Sequence, residues 1–136
     1  MEKVQRIGIS IEDRLLARFD KMITRHGYQN RSEAVRDLIR EKLTEKMLAD
    51  PRTTAIAAVF VVYDHHQANL AQKLIELQHN RLLHTISSMH IHLDHHNCLE
   101  VILLRGKVSR IKKLADSFLA LKGVKLGRVN LVSAEE

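Results

Sequence analysis

The residues best suited to chemistry are histidines and a single cysteine in the second half of the chain. Six of the nine histidines lie between His79 and His96, and the only cysteine, Cys98, follows them. His90 and His92 are two residues apart, which places both side chains on one side of a β-strand. Two imidazoles and a thiolate are ligands that first-row transition metals prefer. The pair alone is also typical of solvated histidines, but the nearby cysteine favours a metal site.

The alternation of apolar residues around these ligands predicts a β-hairpin and its register. Three apolar residues alternate with other residues on each strand: Met89, Ile91 and Leu93, then Leu99, Val101 and Leu103. A slip of one residue would turn one of these sets into water, so odd-numbered residues should oppose odd-numbered ones. His92 then lies opposite Cys98, and His90 opposite Glu100. We expect the three ligands to lie on the face of the sheet that the helices leave open.

The elements that must position this hairpin follow from periodicity and from Gly106 and Gly123. The pattern predicts a strand (55–63), a helix (66–82), two strands (85–93 and 98–105), a helix (107–122) and a final strand (124–132). This βαββαβ order is the ferredoxin-like, or ACT-like, arrangement, an antiparallel sheet with both helices on one face.

The first fifty residues predict a second kind of unit. Residues 4–11 alternate as a short strand, and two amphipathic helices follow, the first opened by a capping box at Ser10 and the second by Asn30. The strand has no partner in its own segment, so we expect it to pair with the same strand of a second chain. Such a two-stranded ribbon fits the major groove of DNA, with Arg6, Gly8 and Ser10 pointing outward.

Composition sets the remaining bounds. The 136 residues carry a net charge of +6, which permits nucleic-acid binding without establishing it. The only proline, Pro51, accompanies a loss of pattern, so we expect domains at residues 1–50 and 51–136 in an α+β protein. The longest apolar run, residues 55–63, is too short to cross a membrane. With one cysteine and no apolar leader, a reducing cytoplasm is the expected location.

Two sets of motifs resemble known regulators. Residues 5–11, 27–28 and 30–37 resemble ribbon-helix-helix repressors, although Gly8 lacks a side chain for reading bases. Gln78-His79, His90-Ile91-His92 and residues 95–100 resemble the NikR family of nickel-responsive regulators. That resemblance implies one Ni²⁺ per subunit in a planar site of His90, His92 and Cys98 with His79 of another subunit. It also implies a homotetramer, a dimer of dimers, that represses nickel-uptake genes by binding a double-stranded operator at two half-sites.

Further residues are assigned roles besides those of the nickel ligands. The resemblance matches Glu33 and Asp37 to a second cation, such as K⁺ at the domain interface; surface carboxylates one turn apart are the plainer interpretation. Tyr63, Gln78 and Glu100 could orient the metal ligands. Four other histidines are interpreted as turn or solvated residues: His65, His66, His95 and His96.

Other functions fit parts of the pattern. The second domain could bind a small molecule, or another metal such as copper or zinc, with the same DNA-binding domain. A metal-storage or delivery protein is a further alternative. An enzyme is not predicted, because no general acid or base beyond Glu100 stands near the ligands.

Overall fold

The computed structural model describes residues 3–67, 69–79 and 84–133. The chain forms two compact units, the first ending at Lys42 and the second beginning at Leu43. The predicted domain bounds, 1–50 and 51–136, remain predictions. None of the described helices is long and apolar enough to cross a membrane.

The first unit is built on two helices, α1 (Asp13–Arg25) and α2 (Arg31–Leu48), the second of which runs into the next unit. The capping box predicted at Ser10 is wrong, because Glu12 is the residue that caps α1 and its side chain makes no capping bond. Gly27 ends α1 as predicted, in the left-handed region at φ 80°. Asn30 opens α2, since its Oδ1 accepts a hydrogen bond from the Glu33 amide at 2.9 Å.

The strand predicted over residues 4–11 does not form in the single chain. Val4, Ile7 and Ile9 are instead exposed, at 86%, 74% and 60%. Among the described residues, the hydrophobic side chains buried in this unit are those of Ile23 and Ala34. A strand needs a hydrogen-bonding partner, and the described residues of this unit include no other strand.

The second unit has the predicted βαββαβ order. Its elements are β1 (Thr54–Asp64), α3 (Leu70–His79), β2 (His84–His92), β3 (Asn97–Lys107), α4 (Val108–Leu119) and β4 (Val124–Ser133). All pairings are antiparallel, in the order β2-β3-β1-β4. Helix α3 begins four residues later than predicted, after Asn69 in the left-handed region at φ 68°. Its predicted end at residue 82 lies outside the described residues.

The expectation that the metal ligands face away from the helices is wrong. The buried residues of β3 are Cys98, Glu100, Ile102 and Leu104, and Cys98 belongs to one core cluster with Leu74 of α3 and Phe118 of α4. Both alternating sets of β3 are rich in apolar residues, so the pattern fixed the register without identifying the covered side. We call the covered side the helix face.

The opposite side, which we call the open face, is apolar and uncovered in the single chain. A groove on it is lined by Phe60, Val62, Leu126, Gly127, Arg128 and Asn130. Met89, Leu126 and Val132 are all more than half exposed, with Leu126 at 68%. Apolar area of this kind on a folded unit marks an interaction surface.

Candidate metal site and DNA-binding residues

The hairpin of β2 and β3 has the register that the apolar alternation predicts. His92 pairs with Cys98, and His90 with Glu100. The Cys98 Sγ lies 3.3 Å from Nδ1 of His92. Because the thiol is buried, and because Glu100 is nearby, the pKa of Cys98 is raised above its ordinary value. The sulfur is therefore a protonated thiol at neutral pH unless a cation takes the place of the proton.

His90 is oriented by two neighbours on the helix face. Its Nδ1 lies 3.2 Å from Oε2 of Glu100 and 3.2 Å from the hydroxyl of Tyr63. The Tyr63 hydroxyl also donates to the same Glu100 oxygen at 3.2 Å, and burial, followed by the charge of Glu100, raises the pKa of Tyr63. A carboxylate acceptor holds the imidazole proton on Nδ1 and leaves Nε2 able to bind a metal. Tyr63 and Glu100 both contact His90, and their orienting role stays a prediction.

His79 and Gln78 lie at the end of α3. His79 is exposed and is not among the residues grouped around Cys98. Gln78 carries a buried Nε2 that has no hydrogen-bond partner among the described residues. Of the four predicted nickel ligands, the single chain groups His92 with Cys98; His90 lies beside them on β2 but outside that group, and His79 lies at the surface.

A histidine that the sequence reasoning treated as a turn residue also reaches this site. The ligand atoms of His65, His92 and Cys98 all lie within 4.8 Å of one another. Strand β1 pairs with β3 so that Asp64 opposes Asn97, and the His65 amide donates to the His96 carbonyl at 3.0 Å. The strand order of a ferredoxin-like sheet could have predicted this approach, because it places the end of β1 beside the start of β3.

The loop between β2 and β3 is held by Asp94. Its carboxylate accepts hydrogen bonds from the side chain of Asn97 and from the amides of His96 and Asn97, each at 2.8 Å. These bonds, led by that of the Asn97 side chain, lower the pKa of Asp94 to about 2. Lys125 of β4 donates to Oδ1 of Asn97 at 2.6 Å. The loop therefore positions the start of β3, and with it Cys98.

The residues predicted to meet DNA are exposed. Arg6, Gly8 and Ser10 lie in the segment before α1, which forms no strand in one chain. The predicted second-cation residues, Glu33 and Asp37, are on α2. Asp37 accepts a hydrogen bond from the Tyr28 hydroxyl at 3.1 Å and pairs with Arg40 at 3.2 Å.

The donor set around Cys98 fits a transition-metal ion. Bonds of about 2.3 Å to sulfur and 2.1 Å to an imidazole nitrogen, meeting near a right angle, separate the two ligand atoms by about 3.1 Å. The observed distance between Cys98 Sγ and His92 Nδ1 is 3.3 Å. His90 stands beside them, its ring 5.0 Å from that of His92. Imidazoles and a thiolate suit Ni²⁺, Cu²⁺ and Zn²⁺.

Comparison with known proteins covers both units. Residues 56–132 match the NikR C-terminal nickel-binding domain, and residues 5–46 match ribbon-helix-helix proteins of the copG family. Among solved structures, the ACT domain of a GTP pyrophosphokinase from Chlorobium tepidum is 12% identical, covering 61% of this chain and 91% of that one, with a TM-score of 0.47.

Full-length relatives carry the name "Putative nickel-responsive regulator". The protein from Trichlorobacter lovleyi is 49% identical over 98% of this chain and 96% of its own length. The protein from Geobacter metallireducens is 46% identical over 100% of this chain and 98% of its own length. A third, from Thermococcus onnurineus, is 42% identical over 93% of this chain and 92% of its own length. The chain belongs to the NikR family of nickel-responsive transcription regulators, which joins a ribbon-helix-helix DNA-binding domain to a nickel-binding domain and is not a family of enzymes.

Proposed function

We propose that one Ni²⁺ binds per subunit at His90, His92 and Cys98, completed by His79 of a neighbouring subunit. The observation that carries this proposal is the register of the hairpin, which sets His92 against Cys98 with 3.3 Å between Nδ1 and Sγ. His79 is exposed at the end of α3, so it is available to another molecule. His90 and His92 lie on β2, an edge strand, where a neighbouring molecule can approach.

Two neighbouring residues of the hairpin, Glu100 and Cys98, favour the binding of a cation at this site. Glu100 accepts the Nδ1 proton of His90 and so keeps the Nε2 lone pair for the metal. Cys98 gives up its proton when the cation binds, which couples affinity to pH. Bound nickel supplies the charge that stabilises the thiolate. Buried beneath the helices, the sulfur is also shielded from bulk solvent.

Assembly into a homotetramer follows from surfaces that one chain leaves exposed. The open face presents an apolar groove, and the segment of residues 4–11 exposes three isoleucines, Ile7, Ile9 and Ile11. We propose that the segment pairs with its copy to form the DNA-binding ribbon, and that the nickel-binding domains join two such dimers. Closed symmetry of this kind covers both surfaces.

The proposed activity is nickel-dependent repression. A metal ion bound by ligands from two subunits stabilises one arrangement of the tetramer. In that arrangement the two ribbons bind the two half-sites of one double-stranded operator at the same time. Nickel then acts as corepressor. The protein acts in the cytoplasm, and the genes it represses are those for nickel uptake. Arg6 and Ser10 would contact the DNA from the ribbon.

A second cation, K⁺, is proposed near Glu33 and Asp37 on α2. Two carboxylates one helical turn apart offer hard oxygen ligands. In the single chain Arg40 already pairs with Asp37 at 3.2 Å, so K⁺ binding would require the guanidinium to move. Arg40→Ala should therefore strengthen K⁺ binding, and unchanged binding would contradict this placement.

Absorption spectroscopy tests the nickel site. Titration of the full-length protein with Ni²⁺ should produce a band typical of planar Ni²⁺–thiolate that saturates at one equivalent per chain. Cys98→Ser should abolish the band, while Ser109→Ala, a change elsewhere in the second unit, should leave it unchanged. Saturation without a thiolate band would contradict the proposed ligands.

A response to zinc is the second candidate, because His65 groups with His92 and Cys98 within 4.8 Å. Three N and S ligands and one open position also suit tetrahedral Zn²⁺. Replacing His90 with alanine separates the candidates: it should abolish nickel-dependent DNA binding, whereas a zinc site built on His65 would persist. Repression that survives this change without metal would instead favour a small-molecule effector.

A further inference from the structure

Strand β4 contains a β-bulge at Lys125. Val62 of β1 pairs with Leu126 of β4. The next residue of β1, Tyr63, pairs with Val124, so Lys125 has no partner on β1. A bulged residue leaves the regular alternation of its strand, and bulges beside functional sites re-aim a side chain. The exposed side chain of Lys125 is therefore released from the direction that a regular strand would give it.

The Lys125 side chain reaches across β1 to the start of β3. Because β1 lies between β3 and β4 in the sheet, these two strands are about 9.6 Å apart. Lys125 Nζ nevertheless donates a hydrogen bond to Oδ1 of Asn97 at 2.6 Å. Asn97 pairs with Asp64, the last residue of β1, so the lysine crosses the sheet at the end of that strand. The hydrogen bond from the His66 amide is the main cause that lowers the pKa of Asp64, and the charge of Lys125 adds to it.

Asn97 comes directly before Cys98, and each of its polar groups is hydrogen-bonded. Its Nδ2 donates to Oδ2 of Asp94 and its backbone amide to Oδ1 of the same carboxylate, each at 2.8 Å. Its carbonyl accepts from the amides of Leu93 at 2.9 Å and Asp94 at 3.3 Å. Because an ammonium only donates and a carboxylate only accepts, a single orientation of the Asn97 side chain satisfies both. We name Asp94, Asn97 and Lys125 the loop clamp.

We propose that the loop clamp fixes the Cys98 sulfur and thereby favours Ni²⁺ over Zn²⁺ at the site of the proposed function, on which this inference rests. The 3.3 Å between Cys98 Sγ and His92 Nδ1 depends on where the backbone sets the sulfur. Ligand atoms must be held within about 0.5 Å of their working positions. Planar Ni²⁺ demands one arrangement of ligands, whereas the d electrons of Zn²⁺ impose no geometry. A loosened clamp should therefore weaken nickel binding more than zinc binding.

Competition between the two metals on the full-length protein tests the selectivity. At a fixed, buffered Ni²⁺ concentration, the measured quantity is the free Zn²⁺ concentration that halves the nickel–thiolate band. Lys125→Met keeps a long side chain without the donor, so about tenfold less Zn²⁺ should suffice, as for other residues that hold metal ligands. Lys125→Arg restores a donor and should return the midpoint toward the wild-type value. Lys122→Met, at an exposed lysine outside the loop clamp, is the matched control and should leave it unchanged.

Asp94→Asn breaks the other arm of the loop clamp. Its side-chain oxygen can still accept from the backbone amides of the loop, but its NH₂ group cannot accept from Nδ2 of Asn97. This variant should shift the competition in the same direction as Lys125→Met. A midpoint that stays at the wild-type value in both variants would overturn the role in selectivity.

Amide hydrogen exchange in the metal-free protein tests the clamp separately from nickel binding. Exchange at the amides of His96 and Asn97, which Asp94 holds, should be faster in Lys125→Met. Exchange at Val59, in the core of β1, should not change, because the fold is intact. Unchanged exchange in the loop would overturn the proposal. Faster exchange in the loop, with no nickel–thiolate band in the wild type, would refute the nickel site and its selectivity but leave the clamp standing.

Discussion

The two units of this chain differ in how much of their fold one molecule can supply. The second unit closes a core between its sheet and two helices, with Tyr63, Leu74 and Phe118 fully buried. In the first unit the buried hydrophobic residues among those described are Ile23 and Ala34, and Ile7 and Ile9 remain in water. The second unit thus folds around its own core, whereas the described residues of the first unit leave most of their apolar side chains exposed in one chain.

The largest expected effect is on the core of the second unit. Phe118→Ala should lower the free energy of unfolding by about 3–5 kcal/mol, because it removes a fully buried ring and leaves a cavity. Urea denaturation followed by circular dichroism measures the change. Leu126→Ala, at an open-face position that is 68% exposed, is the control and should leave the stability of the isolated chain nearly unchanged. Equal losses in the two variants would contradict the assignment of the covered face.

The next prediction concerns the ribbon. Ile9→Lys should abolish pairing of residues 4–11 between chains, because each buried, unpaired charge costs several kcal/mol. DNA binding in a mobility-shift assay should be lost, while the nickel–thiolate band remains. A variant that still binds DNA would show that the ribbon does not form through this residue.

Arg6→Ala separates contact with DNA from formation of the ribbon. Removing one base-reading arginine costs about 1–3 kcal/mol, or roughly fivefold to 150-fold in DNA affinity. The oligomeric state measured by light scattering should not change. Loss of the dimer in this variant would assign Arg6 to assembly instead.

A smaller effect is expected at Glu100. Glu100→Gln keeps an acceptor near His90 but removes the negative charge that lies 3.2 Å from Nδ1 and holds the proton on that nitrogen. Nickel affinity should fall by about tenfold to a hundredfold, as for other residues that orient metal-binding histidines. Competition with a chelator of known affinity measures it. An unchanged affinity would show that His90 is oriented without Glu100.

The smallest effect is the dependence on pH. Burial and Glu100 raise the pKa of Cys98, so the thiol of the metal-free protein keeps its proton at pH 7. Nickel must displace that proton, and its apparent affinity should fall by about tenfold for each pH unit below the thiol pKa. Titrations at pH 7 and pH 8 should therefore differ in this direction. Affinity that is the same at both values would mean that the thiol does not lose a proton.

The same comparison explains what the sequence could predict. Element order and hairpin register followed from alternation, so the pairs His92–Cys98 and His90–Glu100 are confirmed. The covered face was predicted wrongly, because Leu99, Val101 and Leu103 are as apolar as the core-facing Ile102 and Leu104. His65 was missed because its approach to Cys98 depends on strand pairing between β1 and β3, which local periodicity does not reveal. The strand predicted over residues 4–11 does not form in one chain.

In the proposed function, nickel at the Cys98 site controls DNA binding. The direct measurement is a mobility-shift titration of an operator fragment with the wild type and Cys98→Ser, each with and without one equivalent of Ni²⁺. We expect nickel to tighten binding by the wild type and to have no effect on the variant. Equal affinity of the wild type in both conditions would contradict the account.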